Sequence, residues 1–352
     1  LILIMLCSIK FLLRYLFFCI LLGMHNFVHA QEIYFASWGG AYQRALEKAW
    51  LDPFSNETGI EVYRDTEPEI AKIRAMVDTG NVQWDLVTGG GETLMRGIEY
   101  GLFAGISEDM VNQDSIIPSI RNPYAIPTEI YASVIGYSKK KYTNDPPATF
   151  SDLWDVEKFP GRRSLPDDPA AVLEAALIAD GVSKENVYQV LSSSEGMHRA
   201  LNKVKEIKDH IAFWWSSGAQ PVQALASGEI DMAIGWNGRF QSGIANGLSI
   251  EMAWGDSISH VGYIMMVNGA PNSQEAIKLL NYIIEPKRQA RISHFISYGP
   301  TSDKALQYID AATLKKLPST RERMNNTLFM DITWWSRNSE RALEAYLSLI
   351  QD

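Results

Sequence analysis

Patterns of buried strands alternate with patterns of amphipathic helices along residues 32–99. Short apolar runs between turn residues predict strands at residues 32–36, 60–63 and 84–87. Apolar positions at helical spacing predict helices at residues 42–54 and 70–77, each closed by a glycine, and another helix from Glu92. Strands and helices that alternate at this spacing are typical of parallel βαβ units, so we expect an α/β sheet.

The second half of the chain repeats this mixture of elements in a different order. Strand patterns occur at residues 130–137, 229–235 and 264–267, and helical patterns at residues 170–179, 273–284 and onward to residue 350. A chain of 352 residues is long for one compact lobe. We expect two α/β lobes joined by crossover strands near residues 136 and 264. The predicted lobes are residues 31–136 plus 264–308 and residues 137–263 plus 309–352.

The first thirty residues have the pattern of a cleavable signal peptide. Lys10 and Arg14 are their only charged residues, residues 11–22 are largely apolar, and Val28 and Ala30 precede a cleavage site at Gln31. A retained membrane anchor is the alternative, but the apolar run is short for a membrane span. We therefore expect residues 1–30 to direct secretion to the periplasm.

The cysteine and charge content of the secreted chain excludes several kinds of site and partner. Cys7 and Cys19 both lie in the predicted signal peptide, so the mature chain has no thiol for a disulfide or a thiolate metal site. Removal of the signal peptide leaves 30 basic against 41 acidic residues, a net charge of −11. An acidic surface disfavours nucleic acids and anionic membranes as partners. Common nucleotide, serine-nucleophile and zinc motifs are absent, so we expect no cofactor and no metal.

Three glycine-containing turns follow predicted strands, at residues 37–40, 88–91 and 236–239. Ligands of open α/β sheets bind beyond the carboxyl ends of the strands, and glycine lets the backbone approach a ligand closely. Free amide groups at a following helix start can hold a carboxylate. These turns therefore predict a binding site that includes Thr88.

Two of the 10 tryptophans, Trp38 and Trp236, lie on these turns. An indole face there could stack on an alkyl chain or attract an ammonium group. We interpret five others as packing residues: Trp50, Trp84, Trp154, Trp334 and Trp335.

The segment WNG at residues 236–238, preceded by SGEID at residues 227–231, resembles bacterial extracellular solute-binding proteins of the spermidine/putrescine-binding family. Further segments of the resemblance run in order from residue 32 to the C-terminal helices: WGGAY (38–42), PF (53–54), ETG (57–59), WDLV (84–87), TFSDLW (149–154), FPG (159–161), GAPN (269–272), EA (275–276) and YGPT (298–301).

This resemblance implies a type II periplasmic-binding-protein-like α/β fold, in which two lobes close over a ligand cleft by a hinge motion. It also implies a partner, the permease subunits of an ABC importer, with ATP hydrolysed by a separate subunit. We expect a monomer without enzymatic activity that captures a small amine such as putrescine or spermidine.

The resemblance also implies site residues. Trp38 and Trp236 match aromatic walls of the cleft, and Asp168 matches an acidic position that binds an amino group. A helix expected from Pro169 gives Asp168 an alternative role as its N-terminal cap. Lesser candidates for hydrogen bonds to the ligand are Ser216, Ser217, Thr88 and Tyr263.

Departures from the family pattern leave the ligand open. Gly262 and Ala171 stand where polyamine binders have acidic residues, and a buried ammonium needs a partner. Arg239, next to Gly238, suits a ligand carboxylate. A zwitterionic amine–acid resembling γ-aminobutyrate is therefore a rival to a polyamine. Arg239 could instead pair with Glu229 or Asp231.

Two further classes of function remain as remote alternatives. A periplasmic enzyme on the same fold would need catalytic groups in the cleft, for which Asp85 and Asp168 are the candidates. A ferric-iron carrier of this fold would use neighbouring tyrosines, but the sequence contains no adjacent tyrosine pair. A shared fold does not decide function.

Overall fold

Ten strands form one mixed sheet in the computed structural model, which describes residues 31–351 of the chain. The predicted signal peptide, including Cys7 and Cys19, lies outside the described residues. In chain order the strands are β1 (Glu32–Ser37), β2 (Glu61–Thr66), β3 (Leu86–Gly89), β4 (Ala125–Ser138), β5 (Arg163–Pro166), β6 (Ile211–Trp215), β7 (Met232–Trp236), β8 (Ile250–Met266), β9 (Gly299–Pro300) and β10 (Leu328–Phe329).

Parallel strands form both ends of the sheet, and two long antiparallel strands join them. The order is β2-β1-β3-β8-β4-β7-β5-β6, with β9 beside β4 and β10 beside β8. β1 is parallel to β2 and β3, and β5 is parallel to β6 and β7. β4 and β8 run for 14 and 17 residues and pair antiparallel along most of that length. The sheet therefore has two separate sets of parallel strand ends.

Helices cover the faces of this sheet. None within residues 31–351 combines the length and the apolar character needed to cross a membrane. In chain order the α-helices are α1 (Gly40–Leu46), α2 (Asp52–Thr58), α3 (Ile70–Thr79), α4 (Gly91–Glu99), α5 (Phe150–Trp154), α6 (Val172–Ala179), α7 (Val187–Leu191), α8 (Ser194–Glu206), α9 (Gln220–Ser227), α10 (Asn237–Ala245), α11 (Ser273–Ile284), α12 (Pro286–Gln289), α13 (Ala311–Leu314), α14 (Arg321–Met324) and α15 (Ile332–Gln351).

A π segment, Glu47–Leu51, joins α1 and α2 into one continuous helix. Its wider turn buries Ala49, Trp50 and Leu51 completely, whereas three consecutive residues of a regular α-helix point away from one another. Gly59 ends the helix in the left-handed region, with φ of 76°. The helix predicted at residues 42–54 is thus confirmed, although it extends further at both ends.

Distinct apolar cores pack at the two ends of the sheet. Phe35 and Leu86 belong to one core beneath β1 and β3, and Leu165 and Ile234 belong to another beneath β5 and β7. The five tryptophans interpreted as packing residues are all buried: Trp50, Trp84, Trp154, Trp334 and Trp335. The predicted lobe boundaries at residues 136 and 264 fall inside the continuous strands β4 and β8, and they stay a prediction.

The largest difference from the sequence prediction is the length of β8. The predicted strand covered only residues 264–267, whereas β8 begins at Ile250. Gly255, Asp256 and Gly262 interrupt the apolar pattern, but pairing with β4 on both sides of residues 254–257 and with β3 at residues 263–266 holds this segment extended. β4 likewise starts five residues before the predicted strand at residues 130–137. Pairing between distant segments sets both strand starts.

Glu174 of α6 is a fully buried carboxyl group in the core beneath α15. Its Oε1 accepts hydrogen bonds from Trp335 Nε1 at 2.6 Å and from the Tyr188 hydroxyl at 2.9 Å, while Oε2 has no partner within the described residues. Burial raises the pKa of Glu174 to about 7 from an ordinary value of 4.5. The carboxyl group therefore destabilises the fold once it is ionised.

Acidification from pH 8 to pH 5 should stabilise the wild-type protein relative to Glu174→Gln. A group whose pKa is raised in the folded state contributes stability below its unfolded pKa and loses it as pH rises through the folded value. The difference in free energy of unfolding between the two proteins should change by about 2–3 kcal/mol over this window. Urea denaturation at several pH values measures it, with the exposed Glu340→Gln on α15 as control. A pH-independent difference would contradict the assignment.

Candidate ligand-binding cleft

Most of the predicted site residues follow parallel strands, and so they lie at matching sheet edges. Trp38 follows β1, and Gly90 follows its parallel neighbour β3. Asp168, Ser216 and Arg239 come shortly after β5, β6 and β7, which are parallel to one another. The sheet topology thus collects these residues into one group at each end of the sheet.

The two groups meet across a cleft. A Cβ on Gly40 would lie 3.4 Å from Nη1 of Arg239, and a Cβ on Gly90 would lie 3.5 Å from the hydroxyl of Tyr131. The rings of Tyr131 and Trp236 are 6.4 Å apart, edge to face. Gly40 has a φ of 61°, which allows its turn to approach Arg239. The three glycine turns predicted from the sequence therefore surround one space.

Aromatic rings line this space. Tyr131 stacks on His260 with centroids 4.8 Å apart and lies 5.3 Å from Tyr298. Trp236 meets Trp215 edge to face at 5.5 Å. Trp38 is 46% exposed, so its indole is available at the surface beside the Gly40 turn. Such a set of ring faces suits an alkyl chain or an ammonium group.

Arg239 is a cation without a protein partner. It takes part in no salt bridge within residues 31–351, and its buried Nε has no hydrogen-bond acceptor. Asp231, one of the two partners considered from the sequence, instead accepts from the backbone N–H of Arg162 at 2.9 Å. The side chain is half-buried between the Gly40 turn and Tyr298. A half-buried guanidinium that no protein carboxylate neutralises within residues 31–351 favours an anionic group on the ligand.

Asp168 lies in a turn rather than at a helix start. The helix expected from Pro169 begins only at Val172, and Ala171 adopts a left-handed φ of 69°, so Ala171 does not lie one helical turn beyond Asp168. Asp168 Oδ1 accepts from the N–H of Ala170 at 2.8 Å. Surrounding protein raises the pKa of Asp168 to about 6, with a smaller effect from Glu92. Because the side chain stays open to solvent, water weakens this effect.

The remaining predicted contacts divide into exposed and buried residues. Ser216 and Ser217 are exposed after β6, and their backbone N–H groups donate to Gln220 Oε1. Thr88 and Tyr263 lie within β3 and β8 and are buried. Burial raises the pKa of Tyr263 to about 12. The structure therefore does not bring Thr88 and Tyr263 to the open surface.

Asp85, a candidate for the enzyme alternative, has a structural position. It is fully buried, and its carboxylate accepts from the N–H of Tyr34 at 2.8 Å and from the N–H of Asn272 at 2.7 Å. These bonds tie β1 and β3 to the turn before α11. The Asp85 carboxylate therefore has a structural role in holding these segments together.

Sequence reasoning missed five polar and aromatic residues of the cleft: Tyr42, Glu129, Tyr131, His260 and Tyr298. The YGPT segment contained Tyr298, but no pattern indicated that its ring faces the site. Tyr131 lies in the predicted strand at residues 130–137, but the face of the sheet on which its side chain lies depends on the pairing of that strand with β8. His260 accepts or donates one hydrogen bond with Ser133 at 2.8 Å, and burial lowers the pKa of His260 to about 4. The imidazole is therefore neutral near pH 7.

A second recess, of about 450 Å³, lies along α8. Most of its charged residues pair with one another, as in Arg199 with Asp180 and Lys203 with Glu206. Glu195 also lines this recess, but an open surface of exposed and mostly paired charges is a poor ligand site. The cleft around Arg239 and Tyr131 remains the candidate site.

Comparison with known proteins identifies the family. The sequence model of a family described as bacterial extracellular solute-binding protein matches residues 49–320. The chain belongs to this family. It is 32% identical over 313 residues to the gamma-aminobutyric acid-binding protein of Pseudomonas aeruginosa, covering 88% of each chain. It is 25% identical over 327 residues to the spermidine/putrescine-binding periplasmic protein of Escherichia coli, covering 88% of this chain and 87% of that protein.

Solved structures agree with the fold. An ABC transporter substrate-binding protein from Bradyrhizobium japonicum superimposes with a TM-score of 0.86 at 36% identity, over 91% of this chain and 99% of that one. The predicted resemblance and the two-lobed α/β fold are both confirmed. The chain is a substrate-binding protein of the ABC transporter type.

The first turn of α10 offers a test of the cleft geometry. A Cβ on Gly238 would lie 2.4 Å from the ring of Tyr298, so Gly238→Ala must displace that ring. Overpacking of this kind should cost about 1–3 kcal/mol of unfolding free energy, measured by urea denaturation. Gly105→Ala is the control, because its Cβ meets nothing within 4 Å. Equal stability of Gly238→Ala and wild type would refute the contact.

Proposed function

We propose that this protein captures a zwitterionic amine–acid in the periplasm and delivers it to the permease of an ABC importer. The unpaired guanidinium of Arg239 in an aromatic cleft is the observation that carries this proposal. The similarity to a protein named for binding gamma-aminobutyric acid supports it. Release into the periplasm through a signal peptide, a monomeric state and the lack of enzymatic activity and of a cofactor are parts of the same proposal.

Arg239 would bind the carboxylate of the ligand. A guanidinium can hold both oxygens of a carboxylate with parallel hydrogen bonds, and these are stronger than bonds between neutral groups. Gly40 leaves room beside Nη1 of Arg239 because it lacks a side chain. The carboxylate would thus lie between Arg239 and the start of α1.

The aromatic residues would surround the other end of the ligand. Trp38, Tyr131 and Trp236 present ring faces that attract an ammonium group. His260 beneath Tyr131 is neutral, so it does not repel a cation. Asp168 would add negative charge at this edge of the sheet, and Ser216 and Ser217 could hydrogen-bond to the ligand. Thr88 and Tyr263 are buried within β3 and β8, so the proposed contacts do not include them.

A polyamine is the second candidate, and the acidic surroundings of Asp168 favour it. Glu92 and Asp167 both raise the pKa of Asp168, so negative charge accumulates there. The similarity to the spermidine/putrescine-binding protein points the same way. A dication, however, would leave Arg239 without a partner and facing a positive charge. We therefore favour the amine–acid.

Arg239→Gln should weaken binding of γ-aminobutyrate and of butyrate about 10- to 100-fold, because each loses a charged hydrogen-bond partner. Calorimetric titration of the protein purified from periplasmic extracts measures this change. A thermal shift gives a second readout, since a ligand at 100 times its Kd stabilises the folded state by about 2.7 kcal/mol.

The control for this experiment is Arg337→Gln, which removes an exposed guanidinium from α15. It should leave the affinity for both ligands unchanged. Unchanged affinity of Arg239→Gln for γ-aminobutyrate would refute Arg239 as the carboxylate anchor. Binding of putrescine but not of γ-aminobutyrate by the wild type would transfer the proposal to polyamines.

A further inference from the structure

Glu129 is a buried carboxyl group whose role the proposed function leaves open. Its side chain is 1% exposed, in the middle of β4. Burial raises the pKa of Glu129, and the opposing influences are hydrogen bonds from Thr128 and Tyr42, not a cation. A buried carboxylate without a positive partner is costly, so it calls for a counter-charge.

The absence of a side chain on Gly262 makes room for Glu129. The two residues are directly opposite each other in the β4–β8 ladder. A Cβ on Gly262 would lie only 2.0 Å from Glu129 Oε1. The carboxyl group therefore leans across the neighbouring strand and occupies the space that a residue at position 262 would fill.

Hydroxyl groups donate to both oxygens of Glu129. Tyr42 donates to Oε1 at 2.5 Å, and Thr128 donates to Oε2. Because the Tyr42 proton points to Glu129, the Tyr42 oxygen can offer only lone pairs to another group. That oxygen is thus an acceptor suited to an ammonium group, strengthened by the carboxylate behind it.

Arg239 and Glu129 act on the same tyrosine. Burial raises the pKa of Tyr298; the positive charge of Arg239 opposes this rise, and the negative charge of Glu129 adds to it. Tyr298 also packs 6.1 Å from Tyr42 and 5.3 Å from Tyr131, centroid to centroid. One tyrosine cluster thus lies between a guanidinium and a carboxylate, and neither has an oppositely charged partner in the described part of the chain.

We propose that Glu129 is the positioning residue that selects the ammonium end of the ligand, acting through the hydroxyl of Tyr42. The ammonium group lies against Tyr42, Tyr131 and Tyr298 and donates to the Tyr42 oxygen. The half-buried Arg239 holds the carboxylate at the opposite end, so the two charged side chains together select a zwitterion. This inference rests on the proposed function for the class of ligand.

The experiment uses three four-carbon probes: γ-aminobutyrate, butyrate and butylammonium. Glu129→Gln should weaken γ-aminobutyrate and butylammonium about 10- to 100-fold, because the Tyr42 oxygen loses the negative charge behind it. Butyrate affinity should stay at the wild-type value. Tyr42→Phe should show the same selectivity, since it removes the acceptor and keeps the ring.

Two controls make the result specific. Glu174→Gln changes another fully buried glutamate, in the core beneath α15, and should leave the affinity for every probe unchanged. Arg239→Gln should show the opposite selectivity, with butyrate and γ-aminobutyrate weakened and butylammonium retained. If the proposed function is wrong, Arg239→Gln will not weaken the binding of γ-aminobutyrate and butyrate. If only this inference is wrong, Arg239→Gln will weaken both, but Glu129→Gln will not weaken γ-aminobutyrate and butylammonium selectively.

Three outcomes would overturn the role of Glu129. The wild type could fail to bind butylammonium, Glu129→Gln could weaken butyrate as much as the amines, or Asp168→Asn alone could remove the amine preference. The second outcome would make Glu129 a purely structural residue, and the third would assign the ammonium to Asp168.

Discussion

The antiparallel pairing of β4 with β8 is the constraint on which the site depends. These two strands link both ends of the sheet, and their register places Tyr131 opposite His260 and Glu129 opposite Gly262. A shift of one residue would reverse the side of every side chain on a strand. The geometry of the cleft therefore depends on the two strands that join the ends of the sheet, while the glycine turns allow close approach from each side.

Two charged side chains of the cleft, one positive and one negative, explain why it suits a zwitterionic ligand. Among residues 31–351, Arg239 has no anionic partner, and Glu129 accepts hydrogen bonds only from hydroxyl groups. Both groups cost free energy when they are buried alone, so a matching ligand gains affinity from relieving that cost. A ligand of one sign would pair with one of these charges and leave the other without a partner, so it gains only part of this affinity.

Local patterns predicted the parts of the fold that are decided locally. The helix at residues 273–284 and the glycine turns were read correctly, because amphipathic spacing and strand ends suffice to indicate them. The length of β8, the left-handed Ala171 and the placement of Glu129 beside Gly262 depend on pairing between segments far apart in the chain. The sequence therefore showed that position 262 lacks an acidic residue, but only the sheet register shows that β4 supplies one there.

The most direct measurement is a calorimetric titration of the wild-type protein with γ-aminobutyrate and, separately, with putrescine. The two ligands share a four-carbon chain and one ammonium group, and they differ in whether the other end is a carboxylate or a second ammonium. A cleft built around Arg239 should bind γ-aminobutyrate at least ~100-fold more tightly, the difference expected when a charged partner is lost and a like charge faces the guanidinium. Equal or tighter binding of putrescine would contradict the account.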